Sequence, residues 1–333
     1  MTPPPGARAF LDAHGWSGAA IRPLAGDASF RRYFRVEGAD NRRAVLMDAP
    51  PPEDCGQFLA VAAHLRSHGF TTPKVLATDR EQGLLLLEDF GDARMAEAMA
   101  ADPAIEEPVY AAAIDLLVAL HAHPAPAILP PYDRAIHRRE VGLVVDWYAP
   151  ALEIAVDAAS YGEAWDAVLA PVETAAAAAP VTVLRDYHPE NVMLLGGRDG
   201  RPDAIAPATL GLLDFQDALA GHPTYDLVSL LQDARRDVSP ALETAMLTRY
   251  RAARPFDDAA YAVLGAQRNA KILGLFTRLW RRDGKPRYLR YQRRVWGYLE
   301  RDLAHPALEP VRAWFDANLP RAARAEAWPE DAA

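Results

Sequence analysis

Cysteine is nearly missing from this 333-residue sequence. Cys55 is the single one, so no intrachain disulfide can form, which suits a reducing compartment. Long apolar runs are missing too: no stretch of about 18 uncharged apolar residues occurs, and the alanine run from Thr174 to Pro180 is far too short to span a bilayer. The opening Met-Thr-Pro-Pro-Pro-Gly lacks the charged and apolar leader of a signal peptide. A soluble, cytoplasmic protein with no membrane partner is expected. Basic excess is also lacking. The 36 Lys and Arg stand against 45 Asp and Glu, a formal net charge of -9. Nucleic acid is therefore not expected as a partner, because phosphate backbones need a basic face. No internal repeat is present.

What is there is apolar and rich in alanine. Half of the residues are hydrophobic, enough for a sizeable core, and alanine favours helix. The length is too great for one ordinary core and suits two lobes. A short helix is expected over 7–14. Strands follow at Ile21 to Leu24, Phe30 to Glu37 and Ala44 to Asp48, separated by turn residues at Gly26-Asp27 and Gly38 to Asn41, which predicts an antiparallel meander. Phe58, Val61, Ala62 and Leu65 recur at helical spacing over 54–68. Two further strands are expected at Lys74 to Thr78 and Leu84 to Glu88. Past residue 92 the chain turns helical, over 93–123 and 137–178. Two short strands interrupt it at Val181 to Leu184 and Leu210 to Leu213, and from Tyr225 it is helical again.

The strongest chemical signal is Leu184-Arg185-Asp186-Tyr187-His188-Pro189-Glu190-Asn191-Val192, a polar loop between apolar flanks. Asp186 and Asn191 stand five apart, the spacing of the protein-kinase catalytic loop. There the aspartate takes a hydroxyl proton and the asparagine holds magnesium. Phosphoryl transfer needs one carboxylate near the attacking oxygen and a neutral oxygen ligand for a hard cation. The second piece is Leu212-Leu213-Asp214-Phe215-Gln216, with Asp214 ending an apolar strand 23 positions past Asn191. A strand end holds a metal ligand rigidly. Either aspartate alone fits a surface loop or a cap equally well. Both in this order between strands point to a magnesium-dependent kinase using ATP.

These segments resemble the aminoglycoside phosphotransferase and choline kinase superfamily, over roughly residues 20 to 300. The resemblance implies an α+β, two-lobed protein-kinase-like fold, with a small antiparallel β N-lobe carrying one helix and a larger, mainly helical C-lobe. It implies a nucleotide-binding lobe over 1–88 and a catalytic, metal and sugar-binding lobe over 89–333. His188 would brace the catalytic turn. Asp226, in Pro223-Thr224-Tyr225-Asp226-Leu227, would tether that turn, although it fits a plain helix cap as well. Closer resemblance is to the bacterial anomeric cell-wall sugar kinases. It is carried by Gly26 to Arg35, Leu46 to Pro51, Leu87 to Asp92 and Leu184 to Val192. That implies transfer from ATP to the anomeric hydroxyl of N-acetylmuramate and N-acetylglucosamine in peptidoglycan recycling, by a monomer.

At the nucleotide end, Gly26 to Phe30 stands where a phosphate-covering loop should be, and Ser29, Phe30 and nearby N–H groups would cradle phosphate oxygens. An ordinary hairpin turn is the plainer reading. Leu87, Glu88 and Asp89 form the hinge segment that meets adenine through its backbone. The sequence departs from the family where a phosphate-binding lysine is expected, because that position is Met47. The helix over 54–68 lacks the partner glutamate too, with Glu53 just before it. Arg31 and Arg32 are the candidates to replace the lysine, since arginine grips phosphate through two bonds. A solvated strand edge is the alternative for both.

For the acceptor, Gln216, Asp217 and Tyr225 follow the metal aspartate closely, and Trp147 and Tyr148 are possible sugar-stacking rings that would serve equally as core. Eleven Lys and Arg fall between Arg268 and Arg301, against Asp283 and Glu300. A polycationic acceptor would call for acids, so this stretch suits a carboxylated sugar, with Arg278 and Arg281 meeting its carboxylate. A solvated helix face is the alternative. Other readings stay open: a choline, homoserine or aminoglycoside kinase on the same scaffold, and, because of Met47, a pseudokinase that only binds.

Overall fold

The computed structural model describes residues 1–24, 31–39, 41–51, 53–196 and 204–328. Gly26, Ser29 and Phe30 of the expected phosphate loop lie outside the described residues. By packing the chain forms two compact units. The first is Met1–Ala113 with Pro189–Asp217, and the second is Ile114–His188 with Ala218–Ala333.

The first unit is built on an antiparallel five-stranded sheet. Its strands are β1 (Ala20–Pro23), β2 (Arg32–Glu37), β3 (Arg43–Asp48), β4 (Val75–Asp79) and β5 (Leu84–Glu88), in the order β1-β2-β3-β5-β4. Alternation along the strands sorts the side chains. Phe34, Val36, Ala44, Leu46, Leu84 and Leu86 pack with Phe10 and Leu11 of α1 (Ala7–Ala13). Tyr33 pairs in register with Met47, and Met47 with Leu85, on the other face. Helix α2 (Cys55–Ser67) starts where Asp54 accepts from the Gly56 N–H at 2.7 Å, and buries Phe58, Val61, Ala62 and Leu65 as the spacing predicts. Helix α3 is Met95–Ala101, and α4 (Glu106–Leu120) contains the division at Ala113. Two short strands complete the unit, β7 (Val192–Leu194) paired antiparallel with β8 (Leu210–Leu212). Gly211 is required there, since a Cβ would come within 2.7 Å of the Phe90 ring.

The second unit is helical around α10 (Asp258–Arg281), which Asp257 caps through the Ala260 N–H at 3.0 Å. Around it lie α5 (Arg134–Leu143), α6 (Ala149–Ala151), α7 (Ala158–Ala178), α8 (Thr224–Leu231), α9 (Pro240–Ala253), α11 (Gln292–Leu303) and α12 (Glu309–Asn318). Gly274 lets α10 cross α5 closely, because a Cβ there would sit 2.3 Å from the Leu143 backbone. Strand β6 (Val181–Val183) pairs antiparallel with β9 (Leu219–Gly221). The two internal strands expected from sequence are therefore not partners. Each pairs with a three-residue strand too short to show a pattern. The helix expected over 137–178 is also interrupted, by a π-helical turn at Val144–Tyr148, by α6, and by an irregular stretch up to the Asp157 cap of α7.

Candidate active site

In the first unit the β7–β8 pair sets the metal-binding candidates. Leu213 N–H donates to the Asn191 carbonyl at 2.9 Å, which holds the two segments in step. Asp214 follows with φ 55°, a left-handed conformation uncommon outside glycine and often kept at functional sites. Its Oδ2 is 3.4 Å from Asn191 Nδ2, and its Oδ1 accepts from Gln216 Nε2 at 2.7 Å. The same Nε2 reaches Asp217 Oδ2 at 3.3 Å. Phe215 is buried and stacks on Phe58 of α2, ring centres 4.9 Å apart, which fixes the turn between the two acids. Arg31 comes to this cluster from the start of β2. Its Nη2 is 2.6 Å from Glu53 Oε2 and its Nη1 3.7 Å from Asp217 Oδ2. Two residues on, burial and the nearby Asp214 carboxylate push the Tyr33 phenol well up, against the pull of Arg31, so it stays protonated.

In the second unit the catalytic loop leaves β6 and is held from below. Asp226, fully buried in the first turn of α8, accepts from the N–H groups of Leu184 (2.7 Å) and Arg185 (2.9 Å). Burial raises its pKa to about 7, opposed by those two hydrogen bonds. Arg185 has φ 70° and turns its guanidinium onto Glu140 of α5. Glu140 also accepts from Tyr132 and from Gln267 Nε2 at 2.9 Å, and pairs with Lys271 Nζ at 3.0 Å. Asp186 keeps 42% of its side chain exposed, with Oδ1 3.9 Å from Arg268 Nη2. Burial pushes its carboxyl up, but Lys271, Arg268 and Arg185 outweigh this and hold it below the ordinary aspartate range. His188 is buried and its N–H donates to the Asp186 carbonyl at 3.1 Å. Burial and Arg235 depress its pKa well below the ordinary histidine value, so the ring is neutral.

The sequence profile of the phosphotransferase enzyme family matches residues 20–264. The chain belongs to this family. The N-acetylmuramate/N-acetylglucosamine kinase of Caulobacter vibrioides is 40% identical, with 94% of this chain and 95% of that one covered. The enzyme of the same name from Pseudomonas aeruginosa is 38% identical, with 94% and 93% covered. Among solved structures, a choline/ethanolamine kinase family protein from Mesorhizobium loti superimposes with a TM-score of 0.58 at 16% identity, covering 92% of this chain and 98% of that one. An aminoglycoside phosphotransferase of Streptomyces rimosus, solved with ADP and streptomycin, gives 0.55 at 18%, covering 79% and 96%. The kinase-like fold expected from sequence is the fold of this phosphotransferase.

Several expected site residues are occupied otherwise. Arg32 is on the opposite face of β2 from Arg31 and is bound to the buried Asp48, Nε to Oδ2 2.7 Å. Asp89 is paired with Arg35 (2.7 Å) and accepts from the Gly91 N–H, and Glu88 accepts from the Lys74 N–H at 3.1 Å. These side chains are engaged within the first unit, and Leu87 is core. Gln216 is buried and donates to both Asp214 and Asp217. Tyr148 is core: its hydroxyl donates to the Ala323 carbonyl and accepts from the Trp296 and Trp328 indoles, each at 2.7 Å. Tyr225 is buried against Tyr132, beside a cavity of about 10 Å³ with room for a single water. Trp147 stays half-buried in the π-helical turn. Arg281 stacks on Trp280 at 3.9 Å and donates to the Ala151 carbonyl. Arg278 is ten residues beyond Arg268, roughly 15 Å along the helix. The basic residues beside Asp186 are Arg268 and Lys271 instead. Both stand in the basic stretch, but nothing in a linear sequence says which turn of a 24-residue helix meets the loop. Glu140 carries no sequence signal at all.

Asn191 and Asp214 fit magnesium by their chemistry. An amide oxygen and a carboxylate are hard donors, and magnesium is commonly held by one or two carboxylates together with phosphates and water. Among the described residues no group of three or more His, Cys, Asp and Glu forms a dedicated metal cage. No helix among them is long and apolar enough to cross a membrane.

Proposed function

We propose that this phosphotransferase is a cytoplasmic, monomeric kinase that transfers the γ-phosphoryl group of ATP to the anomeric (C1) hydroxyl of N-acetylmuramate and N-acetylglucosamine in peptidoglycan recycling. One observation carries the acceptor class: Arg185, Arg268 and Lys271 surround the partly exposed Asp186 carboxylate. Glu140 offsets part of that charge, yet the surround disfavours choline or a polycationic aminoglycoside and suits a neutral or carboxylated sugar. Relatives 34–40% identical over most of the chain bear this substrate pair in their names, which supports the reading.

In this proposal Asp186 accepts a hydrogen bond from the acceptor hydroxyl and takes its proton as the new P–O bond forms. The bond from the γ-phosphorus to the bridging oxygen breaks, and ADP leaves with the electron pair. Asn191 and Asp214 would hold magnesium, which would supply charge to shield the phosphate oxygens. Arg31 takes the place of the lysine missing at Met47. Glu53 orients it, so the pair is moved from β3 to the start of β2 rather than lost. An arginine held by a glutamate beside Asp217 supports a working kinase over a pseudokinase that only binds. Leu87, Glu88 and Asp89 serve adenine through their backbone, and Trp147 remains a candidate for the sugar face. The division of labour at 1–88 and 89–333 belongs to the same proposal, while packing joins Pro189–Asp217 to the first unit.

A panel of acceptors with labelled ATP tests this. Label is expected in N-acetylmuramate and N-acetylglucosamine. Label in choline, homoserine or an aminoglycoside, with none in the amino sugars, would refute it.

A further inference from the structure

Among the cations that surround Asp186, Arg268 is the one whose bonding this chain leaves unfinished. Arg185 and Lys271 share Glu140, and Arg235 lies against His188, Nη1 to Nε2 3.5 Å. Arg268 is only 5% exposed, yet among the described residues its guanidinium makes no hydrogen bond. Among the described residues the one carboxylate oxygen within 4 Å of it is Asp186 Oδ1, at 3.9 Å. The other acids that feel its charge are engaged elsewhere. Asp226 accepts from Leu184 and Arg185, and Asp233 accepts from the Arg235 N–H at 2.9 Å. A guanidinium carries five N–H donors in a planar fork that matches an oxyanion through two parallel bonds. Burying one without such a partner is unfavourable, so the site is complete only when an anion arrives.

Position says which anion. Asp186 faces the acceptor oxygen that it deprotonates, so a ligand seated on Arg268 lies beside that oxygen. The group that arrives on that oxygen is the phosphoryl. A carboxylate on a side arm of the sugar would stand several bonds farther off. We propose that Arg268 binds the phosphoryl group on the acceptor oxygen, both during transfer and in the sugar phosphate product. Arg268 gives and takes no proton: the P–O bond forms at the acceptor oxygen, the hydroxyl proton goes to Asp186, and the electron pair leaves with ADP. Both the identity of the ester and the placing of its phosphate beside Asp186 rest on the function proposed above.

Calorimetric titration of the full chain without nucleotide tests this, using N-acetylglucosamine, its 1-phosphate, its 6-phosphate and N-acetylmuramate as ligands. The wild type is expected to bind the 1-phosphate at least about tenfold more tightly than the free sugar, the worth of one charge-assisted hydrogen bond. In Arg268→Gln that margin disappears, while affinity for the free sugar stays within about threefold. Arg268→Lys keeps charge and packing and decides the matter if the glutamine variant does not fold: it should weaken the 1-phosphate alone. An unchanged margin, an equal loss for sugar and ester, or a wild type that prefers neither phosphate would overturn the inference. So would a loss confined to N-acetylmuramate, which would make Arg268 a reader of its carboxylate. Preference for the 6-phosphate would refute transfer to C1 and still test Arg268 on that ester.

Discussion

In the proposed mechanism a single carboxylate starts the reaction. Asp186 is held below the ordinary aspartate range by cations that outweigh its burial. A lowered pKa favours the ionised form, so the base is present throughout neutral pH and is lost only as pH falls below about 4. No acid limb of kcat/KM from this group is therefore expected between about pH 5 and 8, and a limb there would assign the base elsewhere. Asp186→Asn should lower kcat about 10²-fold or more with sugar binding largely kept, as steady-state kinetics would show, and turnover within about tenfold of wild type would contradict the role. At this scale the sequence is informative where chemistry fixes both residue type and spacing, as for Asp186, Asn191 and Asp214. It is uninformative where a side chain is chosen by its neighbours in space. Arg31 and Arg32 look alike in the chain, yet strand alternation puts Arg31 with Glu53 and Arg32 on Asp48.

Between elements, Glu140 joins three of them. From α5 it binds Arg185 of the catalytic loop and both Gln267 and Lys271 of α10. Burial pushes its carboxyl up, but Lys271 and Arg185 prevail and depress it far below the ordinary glutamate value. A depressed folded-state pKa means stability that is present above the ordinary value, about 4.3, and lost as pH falls through the folded one. Glu140→Gln removes the carboxylate that two half-buried cations share and should cost about 3 kcal/mol near pH 7, seen as a melting temperature several degrees lower. The gap to wild type should narrow toward pH 4 and below, and a constant gap would show that the charge of Glu140 is not what holds the loop. The meander of β1 to β3 and the apolar face of α2 show in the sequence because turn residues separate those strands and the helix repeats its period. Strands β7 and β9 do not: Leu-Ala-Gly has no β-branched or aromatic residue, and Val-Met-Leu reads only as the apolar end of the loop. The π-helical turn at Val144–Tyr148 hides within an unbroken helical pattern.

For the molecule as a whole, the net charge of -9 conceals the local chemistry. An acidic chain places arginine and lysine around Asp186, and the average composition cannot locate that cluster. The packing division falls between His188 and Pro189, inside the catalytic loop itself. The loop thus gives Asp186 and His188 to one compact unit and Asn191 to the other, a partition that residue spacing cannot reveal. Phosphorus NMR of the product formed from N-acetylmuramate and ATP tests the central claim most directly. The account expects a single phosphate ester on C1, coupled to the anomeric proton. A phosphate on C6, or no sugar phosphate at all from folded enzyme with magnesium and ATP, would contradict it.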